Sequence, residues 1–236
     1  MNSEFKRKII NHPLLYKLTI ALIHIRYFFS NTLTTKVKNN EVIFKEGVMR
    51  KRVAIKVIGN NNTITIHPNC RLKNTKITIM GSNNQLVLNE KVMIYENGAF
   101  VFEGSNSYIQ VGAKTTIGSA ILIIGEGDTG IRIGEDCMLS RDIVMNTSDF
   151  HSIISTITNK RINPPKSIEV KNHVWIGNNA YISKGAEVGN NCIVASRAYV
   201  GGKKFEDHTI LGGLPAKQLK DNINWSREKL PFENGI

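Results

Sequence analysis

Large aromatic rings are scarce in this chain. Phe, Trp and Tyr make up 7% of its 236 residues, whereas hydrophobic residues of all kinds make up 41%. Such a core must be filled by small and β-branched side chains, and the length suits one domain with modest extensions. Cysteines are few and odd in number: Cys70, Cys137 and Cys192 have no CxxC spacing. That speaks against a disulfide framework or a thiolate metal site and fits a reducing cytoplasm. No long hydrophobic run is free of charge. Residues 9–29 are apolar but carry Lys17, His24 and Arg26, which argues against a membrane span. No small-residue cleavage site follows, so a secretory signal is not expected. Nucleic-acid modules are missing, as is the GxSxG elbow of serine nucleophiles.

Acidic residues are also short in supply: 19 Asp and Glu face 31 Lys and Arg, a formal charge of +12. Residues 1–52 hold eleven Lys/Arg and three Glu, so this segment alone supplies +8. Solvated surface charge accounts for this as well as a partner does. The partners that fit are an anionic membrane surface or a polyanionic glycan. From Pro13 onward the apolar stretch reads as an amphipathic helix, suited to capping a domain, packing on a neighbouring subunit or lying on a membrane.

What is present is a repeat. In VWIGNNAYISKGAEVGNNCIVASRAYV (174–200), Ile176, Ile182, Val188, Val194 and Val200 fall six apart. A helix has a period of 3.6 and a simple strand one of 2. Upstream, Ile64, Leu86, Ile109 and Ile131 mark four longer units spaced 22, 23 and 22 residues apart. Each hexad supplies a short strand and a turn, with an aliphatic residue and the residue two places before it pointing inward. Asn and Gly serve the corners, where φ is often positive. Three hexads close a triangular coil, and stacked coils make a quasi-one-dimensional solenoid. The four-residue excess of the early units is expected in irregular corners or small loops. Domain boundaries follow: a basic, partly helical segment 1–52, a solenoid 53–213 with a projecting loop 146–169, and a tail 214–236 ending in a short helix.

The run 174–191, followed by GGLPAK (212–217), resembles the hexapeptide-repeat acyltransferases, which are left-handed parallel β-helices. SDFHSI (148–153), RINPP (161–165) and NINW (222–225) resemble the branch that O-acetylates sugars and capsular polysaccharides from acetyl-CoA. The resemblance implies that His151, on the projecting loop, is the general base. It places the VWIG motif, Val174 to Gly177, beside the cleft, and the pantetheine-binding segment at Ser196, Arg197, Ala198 and Tyr199. This segment is bulkier and more polar than is usual in the family. Lys217, Lys203 and Lys204 fall where basic residues meet CoA phosphates. A homotrimer with interfacial sites is implied, acting in the cytoplasm or at the inner face of the membrane.

Thioester chemistry agrees with these residue types. A His titrates near neutrality and can take a hydroxyl proton. The thioester is already activated, so no covalent enzyme intermediate and no metal are required. Asp149 either orients His151 or is an exposed turn residue. His173 is a corner residue or a substrate contact, and Asn146 stands beside the loop on the acceptor side. By parity, Trp175 and Tyr199 point outward, Trp175 as a substrate platform or an intersubunit contact. An N-acyltransferase acting on an amino sugar, or a non-catalytic β-helix scaffold, are the alternatives.

Overall fold

The computed structural model describes residues 32–35 and 39–231. It is a parallel β-solenoid of about seven turns, as the period of six predicts. Residues 9–29, expected to be helical, lie outside the described residues. Each coil has three walls. The first wall is a sheet of eight parallel strands, from Glu41–Phe44 to Lys204–Phe205. Its inward column aligns Ile64, Leu86, Ile109, Ile131 and Ile168, and all five are at most 1% exposed. The ladder reaches upstream of residue 53, because Glu41–Phe44 pairs with Thr63–Ile66 and Met49–Ile58 with Arg71–Met80.

The second and third walls belong to one larger sheet. In the early coils a single strand of nine or ten residues serves both walls: Met49–Ile58, Arg71–Met80, Met93–Phe102 and Thr116–Ile124. In the later coils it breaks into pairs such as Trp175–Ile176 with Tyr181–Ser183. The excess residues of the early units are therefore not loops. Ile77 and Ile182 share one inward column, and Leu88 and Val188 share another. Ile77 to Leu88 spans eleven residues where Ile182 to Val188 spans six. The added chain lengthens the third wall, burying Ile79 and Phe102, and widens the third corner.

That corner is built from asparagine. Asn62 and Asn84 are 1% exposed, and each side-chain amide donates to a glycine carbonyl one coil on, Asn62 to Gly81 and Asn84 to Gly104, both at 2.9 Å. Their Oδ1 atoms accept the backbone N–H of Asn84 (2.9 Å) and Ser107 (3.1 Å). Outside them Asn61, Asn83, Asn106 and Asp128 hold φ between 56° and 58°, the left-handed geometry that Asn and Asp tolerate. Gly81 has φ 151°, and a Cβ there would lie 2.3 Å from Gly104 O.

The tail departs from expectation: no helix forms in residues 214–231. Ala216–Lys220 instead pairs antiparallel with Ile210–Gly213, satisfying the open edge of the last coil. The chain then runs back over the first corner as a strap. His208 receives Ile223 N–H at its carbonyl (3.1 Å), Trp225 meets His173, and Arg227 donates to Asp136 Oδ1 (2.9 Å) and Thr116 Oγ1 (3.0 Å). These long-range partners replace the i→i−4 bonds a helix would use.

Replacing Asn84 by Ala would strand Ser107 N–H and Gly104 C=O inside the corner. The expected cost is about 1–3 kcal/mol, read as a lowered midpoint of urea unfolding against wild type.

Candidate active site

The projecting loop leaves the third corner after Ile143–Asn146 and returns before Ile168–Val170. Its feet are tied by Lys166 N–H to Thr147 O (3.0 Å) and by Gly130 N–H to Ser167 Oγ (3.0 Å). Asn163, 8% exposed, is its hub. The Asn163 amide nitrogen donates to Asp149 Oδ2 and to His151 O, both at 2.8 Å, and its oxygen accepts Ile153 N–H at 2.7 Å. Arg161 grips Glu126 through two parallel bonds of 2.7 Å, and Ser148 Oγ donates to the same carboxylate. The Arg161 bond first, then that of Ser148, holds the Glu126 carboxyl down at about 2.

His151 is exposed on this loop, and among the described residues its imidazole has no hydrogen-bond partner. Asp149 does not orient it. The Asp149 carboxylate is taken by Lys184 Nζ and Asn163, contacts that hold it below the usual carboxylate range. Asn146 is buried, and its Oδ1 accepts Ser148 N–H at 3.2 Å, so it supports the loop from beneath. Asp149, Lys184, Asn163 and Gly202 line a cleft of about 300 Å³, and Lys203 follows Gly202 directly.

Trp175 stands on the second wall, 37% exposed. Its Nε1 donates to Ser140 Oγ at 3.3 Å, and its ring lies 6.2 Å from that of Trp225. His173 is not a free substrate contact. It is a left-handed corner residue (φ 53°) whose Nδ1 faces Asp136 Oδ2 (2.8 Å) and whose Nε2 faces Trp225 O (3.0 Å). Its ring stacks on Trp225 at 4.2 Å. Burial pushes the Asp136 carboxyl up, but His173 and Arg227 outweigh it and the group sits below its ordinary value.

Among the residues expected at the cofactor, Gly177, Ser196 and Arg197 come together at the second corner. A Cβ on Gly177 would lie 2.6 Å from Ser196 N, and Arg197 N–H donates to Asn178 O at 2.8 Å. Lys217 is exposed on the closing hairpin. Tyr199 faces outward on the third wall, 40% exposed and stacked on Tyr181 at 5.6 Å. Lys203 and Lys204 lie past the third corner, on the side of the loop. The three cysteines are buried, and burial raises the thiols of Cys70 and Cys137 to about 11, which leaves them inert as nucleophiles.

The site residues thus form two clusters, one around Trp175 and Gly177, the other around His151. Among the described residues no hydrogen bond, ion pair or ring contact joins them. The third wall, which in this coil is the strand Tyr181–Ser183, stands between them. Asn163, Arg161 and Trp225 lie inside the segments RINPP and NINW, so their location was legible while their partners were not. Glu126 and Lys184 carried no local signal.

A rigid stack of hexapeptide coils, interrupted once by a loop bearing a free His, is the build of a hexapeptide-repeat transferase. The family model described as bacterial transferase hexapeptide (six repeats) matches residues 167–202. The polysialic acid O-acetyltransferase of Neisseria meningitidis is 35% identical over 191 residues, 80% of this chain and 87% of that protein. Among solved structures, the polysialic acid O-acetyltransferase OatWY superposes with a TM-score of 0.76 at 32% identity, over 83% of this chain and 92% of its own. The polysialic-acid-specific acetyltransferase NeuO gives 0.78 at 28%, over 85% and 90%. The chain belongs to the hexapeptide-repeat acyltransferases, in their capsular O-acetyltransferase branch. It is an acyltransferase, and membership implies an acyl-CoA co-substrate.

The Glu126 contacts favour the folded loop while the carboxylate is charged. Because its folded value, about 2, lies below the ordinary 4.5, that contribution is complete above pH 4.5 and disappears as pH falls toward 2. Carboxyl NMR is expected to show Glu126 titrating near 2, moving back toward the ordinary value in Arg161→Ala.

Proposed function

We propose that the protein transfers the acetyl group of acetyl-CoA to a hydroxyl of an acidic capsular polysaccharide, with His151 as general base. The observation that carries this reading is the unpartnered His151 imidazole, held on a braced loop in a chain similar to polysialic acid O-acetyltransferases. His151 takes the hydroxyl proton as the oxygen attacks the thioester carbonyl. The tetrahedral intermediate then expels the CoA thiolate, which recovers that proton from the imidazolium. No enzyme acyl group forms and no metal takes part. The wall at Gly177, Ser196 and Arg197 receives the pantetheine arm, Lys217 answers the phosphates, and Trp175 backs the acceptor sugar.

The working unit on this reading is a homotrimer of left-handed coils. The loop of one copy reaches the second wall of the next, uniting two half-sites that a single chain keeps apart. The loop carries apolar side chains that call for such a cover: Ile153 is 54% exposed, Ile157 93% and Ile162 60%. The enzyme works in the cytoplasm or against the inner face of the membrane. No helix among the described residues is long and apolar enough to cross a membrane.

His151→Ala is expected to slow thiol release from acetyl-CoA by about 10²–10⁴-fold with the fold unchanged. Full turnover in that variant would remove His151 from the mechanism, and product NMR separates O- from N-acetylation. Interfacial sites have their own test. His151→Ala and Trp175→Ala proteins, each nearly inactive, are co-expressed. Mixed trimers regain activity if His151 and Trp175 act across the interface, and stay inactive if one chain supplies both.

A further inference from the structure

A groove of about 520 Å³ runs along the second wall on the N-terminal side of Trp175. Thr116 and Met138 form its floor. One bank is the C-terminal strap, through Arg227, and the other is the second corner, with Tyr95, Arg141 and Asn178. The floor shares a column with the tryptophan: parallel pairing aligns Arg71, Met93, Thr116, Met138 and Trp175, one per coil. Four coil steps of ~4.8 Å place Arg71 about 19 Å from Trp175. The residues assigned to acyl-CoA (Gly177, Ser196, Arg197, Lys217) lie level with Trp175 or toward the C-terminal coils. The groove lies on the opposite side and is left for the acceptor.

Beyond the groove, the wall carries charge of one sign. At this level strand Met49–Ile58 brings Lys51 and strand Arg71–Met80 brings Arg71 and Lys73, and neither strand holds an acid. Lys56 and Lys76 belong to the third wall, and Arg50 shares the inward column of Leu72 and stacks on Phe44. Parallel pairing sets Lys51 beside Lys73, and Arg71 and Lys73 are exposed. Like charges side by side on adjacent strands destabilise a sheet. Inside the groove the cations are matched: Arg141 meets Glu96 at 3.1 Å and Arg227 meets Asp136 at 2.9 Å. Between the two regions stands Tyr95, 53% exposed, an open ring face of the kind that packs on a sugar ring.

We propose that groove and strip form one acceptor track. A chain of acidic sugars lies along the second wall with its reacting unit at Trp175. The following units fill the groove past Tyr95, and carboxylates further along lie over Arg71 and Lys73. The inference rests on the acyl-transfer reading of the Trp175 wall and adds which surface of the chain holds the acceptor units beyond the reacting one.

The test pairs a charge-reversed double variant, Arg71→Glu with Lys73→Glu, with Tyr95→Ala, using a sialic acid dimer and long polysialic acid as acceptors. The double variant is expected to raise KM for the polymer about tenfold at low salt, leaving kcat and the dimer's KM unchanged. Tyr95→Ala raises KM for the polymer and leaves the dimer's KM unchanged, because Tyr95 lies beside Met93, three coil steps or ~14 Å from the reacting unit at Trp175. Equal losses on dimer and polymer in the double variant, or no loss on polymer, overturn the track. A second arm is independent of catalysis: fluorescence anisotropy of labelled polysialic acid on His151→Ala protein, with and without the double substitution. Binding that the double substitution abolishes supports the track even where no acetyl transfer is measured, so failure of the activity and failure of the track are read separately. Absence of polymer binding at low salt overturns it. So does loss of binding to anionic phosphatidylglycerol vesicles while polymer binding persists, which would assign the strip to a membrane.

Discussion

Each coil is held to the next by backbone N–H···O=C bonds, and these align only if every corner turns the chain by the same amount. Corner chemistry is therefore the constraint on which the rest depends. At the third corner of the early coils the Asn40, Asn62 and Asn84 side chains do the aligning. Each binds the coil that follows, its Nδ2 donating to a glycine carbonyl and its Oδ1 accepting a backbone N–H, so the spacing of the backbone is written into a column of amides. With register fixed there, aliphatic side chains stack like on like through the interior, and the walls are rigid enough to hold outward residues in straight columns. A column in register is what makes an extended surface from residues more than a hundred positions apart, such as Arg71 and Trp175.

The same corner is where the wall is opened. After the Asn, Ser and Thr column of Asn84, Ser107 and Thr129, the chain departs at Thr147 and rejoins at Ser167. The loop inherits a firm base, and its own geometry is set by polar contacts: Asn163 inside, Glu126 with Arg161 on one flank and Lys184 with Asp149 on the other. In the proposed trimer such bracing leaves little entropy to be lost when His151 meets a neighbouring wall, which is the requirement for a base that must sit within hydrogen-bond reach of one hydroxyl.

The solenoid and its inward columns could be read from the chain because they rest on local alternation. Ile176, Ile182 and Val188 announce their positions by spacing alone, and the burial of Cys70, Cys137 and Cys192 follows from the same slots. The left-handed corners at Asn83, Asn179 and Asn191 were equally legible, since few residue types accept that conformation. Pairings across distance were not. Asp149 lies 35 positions from Lys184, and His173 lies 52 from Trp225, so nothing near Asp149 or His173 revealed that each was already engaged. The expected C-terminal helix failed for the same reason. The open edge of the last coil and the corner groove beneath the strap offered that segment bonds that a local reading could not count.

The strap has a consequence for how the molecule comes apart. A stack of repeats whose coils touch only their neighbours can fray one unit at a time from an end. Here the terminal segment is fastened at His208, at His173, and at Asp136 and Thr116. These anchor points sit on four of five successive coils, crossed against the direction in which the chain was laid down. Peeling the last coil means first undoing contacts with coils three and four steps inside the stack. The C-terminal half, which carries Trp175 and the expected cofactor wall, is in this sense laced shut, and it should open as a single block.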